Sequence, residues 1–382
     1  MTSETPVRGL DNVVVARSRL SAIDGVGGNL IYAGYHIHEL AGRASFEEVV
    51  YLLWYGELPT AAELAAFQAR LAAARGLSAD ELALVHSVPA SGHGMDALRT
   101  LVSGLAQLDA QADAIDDRAT EQIGVRVLAT MPVLLAAWER HRHGAEPIAP
   151  NPALPHAANF LYMLRGTPPS AAEAHAFDTY LVLLAEHGLN ASTFAARVAV
   201  GAGADLYCAL VAAIATLKGI FHGGANQKAM ETFLAIGTPE HAADYIAAML
   251  ERGERLMGVG HRIYKVEDPR VRHLRHAVQA LAAENSSASN WQAIADAVGQ
   301  LVAEHPHFTR RQLNPNVEFY SAPLLYSLGL PLDVFTAAFA LSRTAGWIGH
   351  IREQLADNRL IRPKSDYTGP ALRGFVPLGQ RG

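Results

Sequence analysis

A histidine beside glycine occurs twice in this 382-residue chain in settings that suggest chemistry rather than packing. The first is Leu217-Lys218-Gly219-Ile220-Phe221-His222-Gly223-Gly224-Ala225-Asn226. Two glycines after an imidazole remove side-chain bulk and leave the ring and the backbone amides open to a ligand. The blander reading is a helix C-cap with an incidental histidine. The second is Met257-Gly258-Val259-Gly260-His261-Arg262-Ile263-Tyr264-Lys265, running on to Asp268-Pro269-Arg270. A glycine-rich turn flanked by Lys and Arg can hold phosphate. It matches neither the P-loop nor the dinucleotide fingerprint, and Gly201-Ala202-Gly203 lacks the third glycine, so no nucleotide-binding fold follows.

Two further segments carry single groups. In Asn314-Pro315-Asn316-Val317-Glu318-Phe319-Tyr320-Ser321, a turn precedes a helical pattern and sets Glu318 in a first helical turn. The helix dipole there favours an ionised carboxylate, which is also all that an ordinary N-terminal Glu needs. Arg343 stands in the apolar run FTAAFALSRTAGWIGHI. A buried Arg requires an anionic partner, either an internal carboxylate or a ligand, and its planar fork suits carboxylates.

The elements that must hold these groups are helices almost throughout. Ser45 with Glu48, Ser78 with Glu81 and Ser170 with Glu173 read as capping boxes. Gly56 and Gly76 stop two helices, Thr238-Pro239 is an N-cap and N1 pair, and 117–143 ends in a basic cluster suited to a helix C-terminus. A long helix is expected over Asp333 to about Asp357. Only Asn12–Ala16 and Gly28–Tyr35 suggest short strands, so the fold class is all-α with a small N-terminal β element. The Pro-rich stretch Glu146–Pro155 reads as a surface connection.

Composition narrows the function classes. With 31 Lys+Arg against 37 Asp+Glu the formal charge is −6, which argues against a generic nucleic-acid or anionic-membrane binder. A net acidic protein that handles anions must gather its Arg and His locally. The single cysteine, Cys208, excludes an intramolecular disulfide and, in an apolar run, is expected to be a buried, inert thiol. The N-terminus shows no signal-peptide pattern and no apolar run reaches the ~18–20 residues that span a bilayer, so a cytoplasmic location is expected.

Taken in order, SAIDGVGGNLIYAGYHIHEL, SFEEVVYLLWYGELPT, EHGLNASTFAARV, LKGIFHGGAN, GVGHRIYKVEDPR, NPNVEFYS, SRTAGWIGHI and RLIRPKS resemble the citrate synthase family over nearly the whole chain. The resemblance implies an α-helical homodimer whose large domain (1–219 and 326–382) is interrupted by a smaller one (220–325) that closes over the substrates. It implies condensation of acetyl-CoA with oxaloacetate, then hydrolysis of citryl-CoA to citrate and CoA, as in the tricarboxylic acid cycle, with no metal and no bound cofactor. Glu318 would remove a proton from the acetyl methyl. His222 would hydrogen-bond the thioester oxygen, and His261 would polarise and then protonate the keto oxygen of oxaloacetate. Arg270, Arg343 and His187 would hold its carboxylates, with Arg362 reaching in from the other subunit. Lys265 would meet a CoA phosphate, and Gly258-Val259-Gly260 would lie beside the adenine.

This chain departs from the family pattern at Glu318, where Asp is usual. One methylene shifts the carboxylate by about 1.5 Å on a fixed backbone, and misplacement on that scale can cost ~100-fold, so the backbone is expected to compensate. Gly188 and Gly94 are lesser departures. The nearest alternative is 2-methylcitrate synthase, which takes propionyl-CoA; a citryl-CoA lyase is a weaker one. An alternative of another class is a catalytically silent homologue that binds dicarboxylate and acyl-CoA. The pairs His36/His38, His141/His143 and His305/His307 raise a metal reading, but two ligands do not make a site, and surface or capping roles are expected for them.

Overall fold

The computed structural model describes residues 7–11, 13–284 and 286–381, the side chains of 286 and 287 excepted. The N-terminal stretch read above for a leader lies outside the described residues at 1–6 and at Asn12, where the first suggested strand would also begin.

Helices dominate, as the punctuation requires. All three expected capping boxes form, and a fourth, Thr60 with Glu63, opens Ala61–Ala74. Gly56 ends Phe46–Tyr55 in a left-handed conformation, φ 91°, that glycine adopts without strain. The basic-ended helix runs Asp117–Arg142, and the long C-terminal one runs Phe335–Ala356 after a short 3-10 turn, Leu332–Val334. Thr238 does precede a turn with Pro at N1, but that turn is only the 3-10 segment Pro239–His241 and the Thr side chain does not cap it.

The β element is a three-stranded antiparallel sheet, β1 Ser21–Asp24, β2 Asn29–Tyr32 and β3 Tyr35–His36, in that order. The expected Gly28–Tyr35 strand is therefore two strands broken at Ala33-Gly34, where φ turns positive. Residues 13–16 form no strand; Val13, Val14 and Val15 are exposed, with no partner edge to pair them. Tyr32 ties the sheet to the rest of the chain: its hydroxyl lies 2.7 Å from the Glu186 carbonyl and accepts from the Glu186 amide at 3.2 Å. That contact holds the segment leading into His187.

Phe335–Ala356 is the axis of the core. It packs on Ala191–Gly201, Asp117–Arg142, Leu206–Leu217, Ala171–Leu184 and Phe46–Tyr55. Trp54 donates its indole N–H to the Ala345 carbonyl at 2.9 Å, satisfying the one polar atom of a buried ring. Close approach at Gly346 is obligatory: a Cβ there would overlap Glu186 Oε2 and sit 2.5 Å from the Ala185 carbonyl. The axis helix thereby presses directly against the strand of chain that carries His187.

Cys208 corrects an expectation. It is exposed, because it occupies the third position of Leu206–Leu217 while Leu206, Tyr207, Ala209 and Leu210 take the buried face. Its thiol is nonetheless held above the ordinary range, chiefly by a hydrogen bond to Asp205.

Candidate active site

Two distant segments are zipped into one wall of the site. Val259 bridges Pro315, Gly260 N donates to Asn314 O at 2.7 Å, and Asn316 N donates to Gly258 O at 2.9 Å. Asn316 then does two jobs. Its Nδ2 donates to Gly260 O at 2.8 Å, and its Oδ1 accepts from Glu318 N at 3.0 Å, capping Val317–Ser327. Gly258 has φ 83°, and a Cβ would lie 3.0 Å from Phe319 Cα, so only glycine fits this approach. The result sets His261 and Glu318 on adjoining turns.

His261 is locked in orientation. Its Nδ1 accepts from the amides of Ile263 (3.0 Å) and Tyr264 (3.1 Å), which assigns the ring proton to Nε2. Burial, then Arg270, lowers its pKa to about 4, so it is a neutral N–H donor at pH 7. The Tyr264 hydroxyl joins His187 Nε2 at 3.2 Å, and the His187 and His261 rings meet edge-on with centroids 5.6 Å apart. His187 is only 7% exposed, and burial followed by Arg270 and Arg343 holds it well below the ordinary histidine range.

The two arginines differ. Arg270, 2% exposed, is paired by two bonds to Asp268, at 2.9 and 2.6 Å. Those use two of the five guanidinium N–H groups and leave three. Arg343, also 2% exposed, gives its Nε–H to the Leu184 carbonyl at 2.7 Å and lies over the Phe339 ring at 4.8 Å. No carboxylate pairs with it among the described residues, and its four Nη–H groups have no partner there. Burial lowers its pKa to about 10, against the pull of nearby Glu186, but it stays charged at pH 7.

Glu318 is half-buried, and burial raises its pKa although Arg270 and Arg343 oppose the shift. This corrects the dipole expectation: the capped helix N-terminus is present, but loss of hydration outweighs it. A carboxylate with a raised pKa is a better proton acceptor.

His222 lies in the turn after Leu206–Leu217. Ser192 N donates to its Nε2 at 3.3 Å, with Ser192 Oγ at 2.8 Å and Asn190 Oδ1 at 3.2 Å. A backbone donor on Nε2 assigns the proton to Nδ1. Burial, then Arg343, lowers its pKa to about 4, so it too is neutral at pH 7. Gly223 is required beside it, since a Cβ would lie 2.6 Å from the Leu217 carbonyl.

The structure thus gathers His187, His261, Arg270, Arg343 and Glu318: the two histidine rings meet, the fields of Arg270 and Arg343 reach both His187 and Glu318, and that of Arg343 also reaches His222. Lys265 is at the rim: its amide donates to Gly25 O at 2.8 Å, and its side chain is exposed. Arg362 is not brought in. It is exposed on the irregular segment after Phe335–Ala356 and makes no bond among the described residues.

Residues 9–364 match the family model described as "Citrate synthase, C-terminal domain". The chain belongs to the citrate synthase family. The citrate synthase of Haloferax volcanii is 44% identical over 380 residues, covering 98% of each chain. The 2-methylcitrate synthase 1 of Corynebacterium glutamicum is 40% identical over 385 residues, covering 99% of this chain and all of that one. The solved ternary complex of Thermoplasma acidophilum citrate synthase with carboxymethyl coenzyme A and oxaloacetate superposes with a TM-score of 0.92 at 30% identity, covering 99% of this chain and 100% of that one.

For an enzyme of this family the sequence reading missed several supports. Tyr264 and Asp268 sit inside the motif that carries His261 and Arg270, and Asn190, Ser192 and Asn316 sit in motifs that were quoted for other residues. Their signal was adjacency alone. The histidine pairs take other work: His38 Nδ1 meets His273 Nε2 at 2.8 Å, His143 meets Glu139 at 3.0 Å, and His305 caps Pro306–Thr309.

Proposed function

We propose that this enzyme condenses acetyl-CoA with oxaloacetate and hydrolyses the resulting citryl-CoA, releasing citrate and free CoA. The observation that carries the reading is Arg343: a buried cation whose four Nη–H groups have no partner among the described residues, and whose field reaches His187, His222 and the raised-pKa carboxylate of Glu318. A buried guanidinium without a carboxylate partner is costly unless a ligand supplies the anion. A dicarboxylate with a carbonyl beside it fits the set. The Thermoplasma relative, by its title, binds oxaloacetate and a CoA analogue.

In this reading Arg343, the three free N–H groups of Arg270, and His187 hold the two carboxylates of oxaloacetate. Glu318 takes a proton from the methyl of acetyl-CoA while His222 Nδ1–H bonds the thioester oxygen, where negative charge develops. The nucleophilic carbon attacks the keto carbon, and His261 Nε2–H delivers the proton to the forming alkoxide. Water then cleaves the thioester, giving a carboxylate and the CoA thiol. Neither metal nor bound cofactor enters these steps. Lys265 would meet a CoA phosphate, with Gly258-Val259-Gly260 beside the adenine.

The division into 1–219 plus 326–382 and 220–325 places His222 at a boundary, where closure would bring it onto the substrate and exclude water. A dimer would supply Arg362 in trans. Its support is the C-terminal segment, where Leu360, Leu372, Phe375 and Leu378 are exposed, as a surface met by a second copy would be. Mixing an Arg362→Leu chain with a Glu318→Gln chain should restore turnover through the hybrid's one complete site. No recovery on mixing would place Arg362 outside the partner's site. No described helix is long and apolar enough to cross a membrane, and a cytoplasmic location is our reading.

The Corynebacterium relative keeps propionyl-CoA in view as the acyl donor. One methylene in an apolar pocket is worth about 1–3 kcal/mol, or roughly 5- to 150-fold. Thiol release with oxaloacetate is expected to favour acetyl-CoA by a kcat/KM ratio in that range. A ratio inverted toward propionyl-CoA would make this a 2-methylcitrate synthase with the same residues in the same roles.

A further inference from the structure

Five tyrosines are essentially buried among the described residues: Tyr32, Tyr180, Tyr207, Tyr264 and Tyr320. Four of their hydroxyls are bonded, to the Glu186 and Leu183 carbonyls, Asp109, His187, and Arg275 with Asp296, respectively. The Tyr180 hydroxyl alone has no partner among the described residues. A buried hydroxyl left unbonded is destabilising, and retaining one asks for a reason.

Its position supplies one. Tyr180 stands on Ala171–Leu184, one turn before the Leu184 carbonyl that Arg343 holds and two turns before His187. That helix packs against both Val317–Ser327, which carries Glu318, and Phe335–Ala356, which carries Arg343. Glu318 and Arg343 are the charged groups whose fields reach the phenol. Arginine is donor only, so the one acceptor of the two is Glu318, whose carboxylate has its own backbone amide as hydrogen-bond donor and no side-chain donor among the described residues. Burial raises the Tyr180 pKa, which keeps the proton on the phenol and the group a donor.

We propose that Tyr180 is a positioning residue for Glu318, its hydroxyl donating to the carboxylate in the substrate-bound state and fixing the longer side chain for proton abstraction. The proposal deepens the reading of Glu318 as the base and rests on it. The other groups that act on Glu318 are Arg270, its own backbone amide, Asp268 and Arg343, all unchanged by a substitution at Tyr180.

The test is Tyr180→Phe beside Glu318→Gln, read by melting temperature, oxaloacetate KM, and the pH dependence of kcat for thiol release from acetyl-CoA. Tyr180→Phe is expected to melt at the wild-type temperature or above, since it removes only an unbonded hydroxyl. It should keep oxaloacetate KM, lose about tenfold in kcat, and move the acid limb of the kcat profile up by about one pH unit, because the ionised carboxylate has lost a donor. If Glu318→Gln is inactive but Tyr180→Phe keeps the wild-type kcat and acid limb, Tyr180 is not the positioning group and the base assignment stands. A lowered melting temperature with an unmoved acid limb makes the hydroxyl structural and overturns the proposal. Wild-type turnover in Glu318→Gln overturns the base assignment and this proposal together.

Discussion

Glu318→Gln is expected to lower turnover by about 10²–10⁴-fold, the range that a positioned general base contributes, while oxaloacetate binds as tightly as before. Gln preserves the size of the side chain and cannot accept the methyl proton. In the proposed site oxaloacetate would be held instead by Arg270, Arg343 and His187, none of which hydrogen-bonds the Glu318 side chain among the described residues. Thiol release and calorimetric titration with oxaloacetate measure the two quantities separately. The wild-type pH profile should agree. Burial raises the Glu318 pKa, so the ionised base is lost as pH falls through that raised value, and the acid limb should lie above the ordinary glutamate range. His222 and His261, at about 4, stay neutral through that limb and do not set it. A Gln variant with wild-type turnover would transfer the base role to another group.

The second large effect belongs to Arg343. Arg343→Leu should weaken oxaloacetate by about 2–5 kcal/mol, roughly 30- to several thousand-fold, because a desolvated cation contact to a carboxylate disappears. The same change should cost little stability. The guanidinium has no carboxylate partner among the described residues, and replacing a buried charge by an apolar side chain of similar volume is often neutral or favourable. The lost Nε–H bond to the Leu184 carbonyl works the other way, so a melting temperature near wild type is the expected balance. Titration with oxaloacetate and thermal melting check both halves. Unchanged oxaloacetate affinity would remove Arg343 from the clamp.

The parts of this structure that were legible in sequence are those governed by local chemistry. Capping boxes at Ser45, Ser78 and Ser170 depend on residues three apart, and each formed as read. The apolar run around Arg343 implied burial, and Arg343 is buried. What the sequence hid is set by contacts between distant segments. Asn316 looks like a turn residue until the 258–260 loop is seen against it, more than fifty positions away in the chain. Glu318 sits at a capped helix start, so its local environment favours charge, but three-dimensional burial reverses the sign. Cys208 was misread because apolar neighbours suggest burial regardless of which face of the helix turns inward. The motif histidines were found by their glycines, yet their tautomers come from backbone amides of Ser192, Ile263 and Tyr264, which no spacing rule assigns.

Glutamate at the base position is the feature on which the account turns, since a misplaced carboxylate would leave a site that binds but does not react. The most direct measurement is thiol appearance from acetyl-CoA with the purified wild-type protein, with and without saturating oxaloacetate. Steady thiol release that requires oxaloacetate and yields citrate in equal amount is the expected result. A folded protein that binds oxaloacetate yet releases no thiol would contradict it.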